Sequence, residues 1–301
     1  MASQRDVKNK ISSVKNIQKI TRAMEMVAAA RLRRAEQRID ALRPYADAVR
    51  RMTRQAAQAA GAEASRMPLL SAHESESRVG LLLVTGDRGL AGGFNSQVIR
   101  AGVRLSAELD EQGKQSVWYS TGRRGVSSLT FRGLDLSGSY TGFADKPAYA
   151  DARSIADDVI EAYVDGKLDR VELIYNSYVS PLTQTVTHER LLPLSAATIS
   201  GEEDDDEEEG QQSGPRALVS YEPDPEQILR RLVPDYIEIS IYRALVESAA
   251  GFFGAQMTAM RSASENAGEI ITEYTLQMNR ARQAEITQEI MEVVAGAEGL
   301  A

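Results

Sequence analysis

Small or apolar residues recur near the start of the chain at alternating steps of four and three: Ala28, Leu32, Ala35, Ile39, Leu42, Ala46 and Val49. Val7, Ile11 and Val14 precede them, and Ile20, Met24 and Val27 read as part of the same kind of stripe. Such steps put side chains on one face of a helix and repeat every seven residues, the spacing of a helix that packs along a second one. No glycine occurs before position 61 and the only proline there is Pro44, so one helix is predicted over 1–60. At 1.5 Å per residue it would run about 80 Å, well beyond the ~30 Å of a small domain, and would project from any globular body it belongs to.

The other end repeats the pattern. Phe253, Met257, Met260, Ser264, Ala267, Ile271, Tyr274, Met278 and Ala281 again alternate four and three, and a second helix is predicted within 225–301. Each stripe can be buried on the other if the chain returns, which predicts an antiparallel coiled coil between the two ends. Gly251, Gly254 and Gly268 weaken this helix by up to about 1 kcal/mol each, so close backbone approach is expected there. Charge supports the pairing: 14 basic residues stand against 5 acidic ones over 1–58, and 6 against 11 from 226 onward, so basic and acidic flanks are expected to face each other.

Between the ends the texture is α/β, predicting a domain over 78–222. Strand-like runs are VGLLLVTG, SVWYST, RVELIYNSYV and TQTVTHERLLPL, the last two forming a hairpin that turns at Ser180-Pro181. Helical patterns fall at 95–111, 123–131 and 149–164, and the alternation predicts a small, partly parallel sheet covered by helices. The run GEEDDDEEEGQQSGP at 201–215 carries eight consecutive carboxylates and is expected as a solvated loop; the ligand spacing of a calcium loop is absent from it.

One segment invites a chemical reading. LLLVTGDRGLAGGFNSQVIR (81–100) is a buried strand, a glycine-rich turn and the start of a helix, the setting in which backbone N–H groups collect phosphate. The glycines at 86, 89, 92 and 93 fit neither the dinucleotide nor the P-loop spacing, and no lysine follows. A tight structural turn is expected instead, with Asn95 or Ser96 capping the helix and Asp87 with Arg88 as an ion pair fixing the turn. His188 has no nucleophile or metal partner in sequence and reads as a surface or interface residue. The chain has no cysteine and two histidines, which excludes disulfides, thiol catalysis and histidine-rich metal sites. The basic first helix lacks aromatic interleaving and the chain is acidic at −8, so nucleic acid is not an expected partner. No apolar run reaches the ~18 residues of a membrane span, and the N-terminus lacks the apolar core of a secretion signal. A cofactor is not expected.

KNKISSVKNIQKITRAMEMVAAARLRRA near the start, GDRGLAGGFN, YEPDPEQIL and NRARQAEITQEIMEVVAGAE near the end resemble, in order, the signature regions of the gamma subunit family of F-type ATP synthases. That resemblance implies an α/β fold plus a long antiparallel coiled coil, in which the terminal helices enclose a Rossmann-like α/β domain that binds no nucleotide. It implies a non-catalytic rotor shaft coupling proton-driven c-ring rotation to the catalytic beta subunits in ATP synthesis and hydrolysis. The partners implied are three alpha and three beta subunits, the epsilon subunit and the c-ring, with membrane association through the c-ring only, at the cytoplasmic face of a bacterial plasma membrane. Residue by residue, Met24, Arg282, Gln283 and Thr287 match positions that contact the beta subunits, and Tyr221 and Glu222 match positions near the c-ring. By the same resemblance, Asp87, Arg88, Gly89, Ala91 and Gly92 match the loop that approaches epsilon. From Ala284 onward no Lys or Arg occurs, so this tip is expected to turn in an apolar sleeve without strong cationic pairing. Two other classes remain open to the residues alone: a Rossmann-type nucleotide-binding protein, and a static coiled-coil scaffold.

Overall fold

The structure, a computed structural model, describes residues 4–61, 63, 67–73, 75–194 and 224–298. Helix α1 spans Gln4–Ala60 and helix α5 Pro225–Glu298. Between them lie β1 (Arg78–Val84), α2 (Phe94–Glu111), β2 (Gln115–Thr121), α3 (Arg123–Phe131), β3 (Leu136–Tyr140), α4 (Tyr149–Val164), β4 (Arg170–Tyr178) and β5 (Gln184–Leu192). The chain divides into two units, one of Met1–Ala30 with Gln256–Ala301 and one of Arg31–Ala255.

In the first unit the ends of α1 and α5 lie side by side and antiparallel. Lys10 sits over the Tyr274 ring, Gln18 Nε2 donates to the Ser264 carbonyl, and Arg261 pairs with Glu25 at 2.9 Å. Contact positions fall on α5 as they rise on α1. The stripe on α5 is the expected one, with Met260 and Ala267 buried and the rest half-buried through Ala281. On α1 its phase differs from expectation. Val7, Ile11, Thr21 and Ala28 are buried and Val14, Gln18, Met24 and Glu25 half-buried, whereas Ile20 and Val27 are 59% and 52% exposed. Counting on from Val14 by four and three leads to Gln18 and Thr21; the apolar neighbours Ile20 and Val27 pull a reading by hydrophobicity off the line. The Arg261–Glu25 pair also runs against the bulk bias, since its cation is on α5 and its anion on α1.

In the second unit the five strands lie in the order β3-β2-β1-β4-β5, all parallel except β5, which returns antiparallel to β4. Leu82, Val84, Leu173 and Tyr175 face α4 and the apolar first half of α5, where Leu229, Val233, Ile237 and Ile241 are buried. Leu81, Leu83, Trp118 and Ile174 face Val98 and Leu109 of α2 and Leu129 of α3. The alternation of β1 residues between these faces explains why its run is apolar throughout. The predicted helices and hairpin are present; β3 is an addition, since LSGSY has neither the apolar alternation nor the branched residues of a strand. It is an edge strand held by pairing with β2, and Gly138 is required because a Cβ there would lie 2.6 Å from the Tyr119 ring. Gly251 and Gly254 do mark close approach, but to the β4–β5 hairpin and Phe94: a Cβ on Gly254 would sit 2.9 Å from the Pro181 carbonyl oxygen.

Candidate functional site

The order of the strands places the glycine-rich loop at the carboxyl end of β1, where connections leave to opposite sides of the sheet. This is the crevice in which doubly wound sheets receive nucleotides. Here it is filled by the chain itself. The Phe252 ring lies where a Cβ on Gly86 would come within 3.0 Å of it, and Phe252 packs edge-on against Phe94 at 5.7 Å and Phe253 at 5.6 Å. Asn176, fully buried on β4, donates to the Phe94 carbonyl at 3.0 Å.

The loop's polar groups are also committed. Gly86 N donates to Asn95 Oδ1 at 2.8 Å and Asn95 Nδ2 to the Arg88 carbonyl at 3.0 Å. Asn95 therefore staples the loop instead of capping the helix: α2 begins at Phe94 after Gly93, without a side-chain cap, and Ser96 Oγ donates back to the Gly93 carbonyl. Asp87 does not pair with Arg88. Its carboxylate accepts from the backbone N–H groups of Arg123 at the start of α3, Gly142 and Ala144, at 3.0 to 3.1 Å. That is an anion cradle whose anion is a side chain of the same protein. Arg88 reaches Asp145 at 3.7 Å, and Asp145 also pairs with Arg31 at 3.2 Å.

Ala91 is buried, Gly92 has φ +55°, and Gly89 packs against the Arg124 side chain. Leu90, between them, was not singled out by the sequence: it holds φ 64°, uncommon for a residue with a Cβ, with its side chain 64% exposed. Met24 is half-buried on α1, while Arg282, Gln283 and Thr287 are exposed on α5, where Thr287 Oγ1 donates to the Gln283 carbonyl. Tyr221, Glu222 and the acidic run lie outside the described residues.

His188 is half-exposed on β5, its Nε2 2.8 Å from the buried Glu172 carboxylate, which Arg170 also meets at 2.5 Å. Asp169 ties the start of β1 to β4. Burial pushes its carboxyl upward, but hydrogen bonds from Arg78 N, His73, Ser77 Oγ and Ser77 N outweigh this and hold it below the usual carboxylate range. Among the described residues there is no cluster of groups suited to a metal ion, and no helix long and apolar enough to cross a membrane.

The arrangement defines, in one unit, a mixed α/β sheet domain whose crevice at the reversal of strand order is closed from within and, in the other, a pair of antiparallel helices. The family described as ATP synthase matches residues 3–300. Relatives named ATP synthase gamma chain include those of Rubrobacter xylanophilus, 44% identical over 100% of this chain and 99% of that one, and Moorella thermoacetica, 41% identical over all of both. The chain belongs to the ATP synthase gamma chain family. Similar solved structures include the central stalk and c-ring of Tetrahymena thermophila mitochondrial ATP synthase, with 25% identity, TM-score 0.59, and coverage of 81% of this chain and 99% of that one. A chain of the Euglena gracilis mitochondrial enzyme, at 16% identity and TM-score 0.66 over 99% and 94%, shares the fold.

Proposed function

We propose that this chain is the central rotor shaft of a bacterial F-type ATP synthase, itself without catalytic groups. The observation that carries the reading is the outward face of the paired helices. Ile17, Ile20, Met26 and Val27 on α1 and Leu276 on α5 are exposed although the stripe between the helices is already satisfied, and Ile286, Ile290, Met291, Val293 and Val294 are exposed on the stretch of α5 after Ala281, where no described side chain is buried. Apolar residues left over on an element with a buried stripe of its own call for a surrounding partner.

In this reading the helix pair is an antiparallel coiled coil seated in a ring of three alpha and three beta subunits. Met24, Arg282, Gln283 and Thr287 meet the beta subunits, and the tip beyond Ala284 turns against apolar walls. Tyr221 and Glu222 meet the c-ring, and the loop carrying Asp87, Arg88, Gly89, Ala91 and Gly92 lies toward epsilon. The chain sits peripherally at the cytoplasmic face of the plasma membrane, through the c-ring. An asymmetric shaft favours a different conformation in each beta subunit according to its angle, so rotation shifts conformational populations in a partner. The closed crevice supports this over a nucleotide-binding enzyme.

The test is ATP hydrolysis by the full chain mixed with alpha and beta subunits, compared with the chain alone and with alpha and beta alone. Activity that rises strongly only in the three-part mixture is the expected result. Hydrolysis by the isolated chain, or failure to assemble, overturns the reading.

A further inference from the structure

In the second unit, α1, α5 and the loop before α4 enclose an open hollow of about 250 Å³. Arg31, Arg34 and Arg38 reach it from one face of α1, at steps of three and four, and Lys146 enters from the loop. Like charges at this helical spacing repel. Asp145 is the carboxylate in the lining, and it is already shared by Arg31 and Arg88. Arg31 is further held over the Phe253 ring at 5.7 Å. Arg34, Arg38 and Lys146 form no ion pair among the described residues, so four cations and one carboxylate leave a concave site with three unanswered positive charges.

We propose that this hollow is a binding site for a compact polyphosphate anion. Guanidinium forks match phosphate oxygens in pairs, and a lysine supplies a mobile point charge beside them. A chain of phosphoryl groups concentrates several negative charges within a few ångströms, about one on each inner group and up to two on a terminal one near neutral pH, whereas a peptide brings one charge per acidic side chain. The Phe253 face is occupied by Arg31, so the site offers no platform for a nucleobase and reads phosphates alone. Inorganic tripolyphosphate and the triphosphate of a nucleotide are therefore equivalent ligands. The site is distinct from the glycine-loop cradle, which Asp87 fills, and it does not depend on the shaft reading.

The experiment is calorimetric titration of the full chain with inorganic tripolyphosphate at low ionic strength, where surface charges are least screened. One saturable site is expected, matched by ATP and unaffected by adenosine, and weakened at least tenfold in the double variant Arg34→Gln, Arg38→Gln and severalfold in Lys146→Gln. Neither arginine makes a hydrogen bond or ion pair among the described residues, so the double variant's unfolding midpoint without ligand is expected to equal the parent's, separating lost binding from lost folding. If that midpoint falls, Lys146→Gln alone decides. Absence of saturable binding, equal affinity in the variants, or an oligoglutamate peptide that displaces tripolyphosphate more tightly than ATP does would overturn the assignment, the last transferring the hollow to a partner's carboxylates.

Discussion

Asp87 occupies a place that a bound anion would take in a related sheet, and in doing so joins three segments: the glycine loop, the start of α3 and the 142–144 stretch. Replacing it by alanine leaves three backbone donors without their acceptor. The expected loss is about 1–2 kcal/mol, reduced from the fully buried figure because the cradle is open to water. Urea unfolding of Asp87→Ala beside Asp87→Asn, which keeps one acceptor, checks it. Asp169 carries the pH dependence. Its folded carboxyl titrates below its unfolded value, so its contribution to stability is complete above about pH 4, near the unfolded carboxylate range, and disappears as pH falls through the folded value. Glu76 acts with the same sign: burial opposes its charge, but Lys114 and Arg170 beside it hold its carboxyl down. Denaturation midpoints followed from pH 7 to pH 3 are expected to fall less steeply in Asp169→Asn than in the parent. At this scale the sequence shows which groups carry charge and conceals where they go. The spacing of the loop's glycines fits neither phosphate-binding motif, yet nothing local tells that Asp87 reaches across to Gly142 and Ala144, or that Phe252, far along the chain, fills the crevice.

At the scale of elements, helix and strand limits follow the hydrophobic pattern wherever burial is one-sided. α3 and α4 match their expected bounds, and α1 runs through Pro44, which lies on its exposed face. The failures have physical causes. β3 has no pattern of its own and exists by pairing, and the stripe on α1 is obscured because its outer face is apolar as well. The same distinction between local preference and packing predicts the sign of a substitution. Alanine is preferred over glycine inside a helix by about 1 kcal/mol, which by itself would make Gly254→Ala stabilising. The Pro181 carbonyl 2.9 Å from the new Cβ belongs to backbone and cannot turn aside. Gly254→Ala is therefore expected to lower the urea midpoint, and a raised midpoint would mean that the hairpin yields at little cost.

For the molecule as a whole, folding and function draw on different faces of the same helices. Ile20 and Val27 are spare in the isolated chain, so Ile20→Asp with Val27→Asp is expected to change its stability by no more than about 0.5 kcal/mol each. In a complex reconstituted with alpha and beta subunits the same pair is expected to lower assembly or hydrolysis severalfold, read as the yield of assembled complex and as ATPase activity per complex. A static scaffold would tolerate the change in both assays. The family is legible in four sequence motifs, but Tyr221, Glu222 and the acidic run fall outside the described residues, and the contact roles expected of them and of Met24, Arg282, Gln283 and Thr287 rest on the family resemblance.

Gln18 sets how freely the two helices of the first unit can shift along each other. Its amide enters the stripe where Gly268 leaves room, a Cβ there lying 3.2 Å from Nε2, and it donates to the Ser264 carbonyl. One heptad away in either direction along α5 stand Arg261 and Thr275, whose side chains would take that room. A purely apolar seam could slip by seven residues and find similar packing; a polar key with a single lock cannot. The helix pair thus has a preferred alignment, so a twist delivered at one end is carried along it as rotation and is not dissipated as sliding.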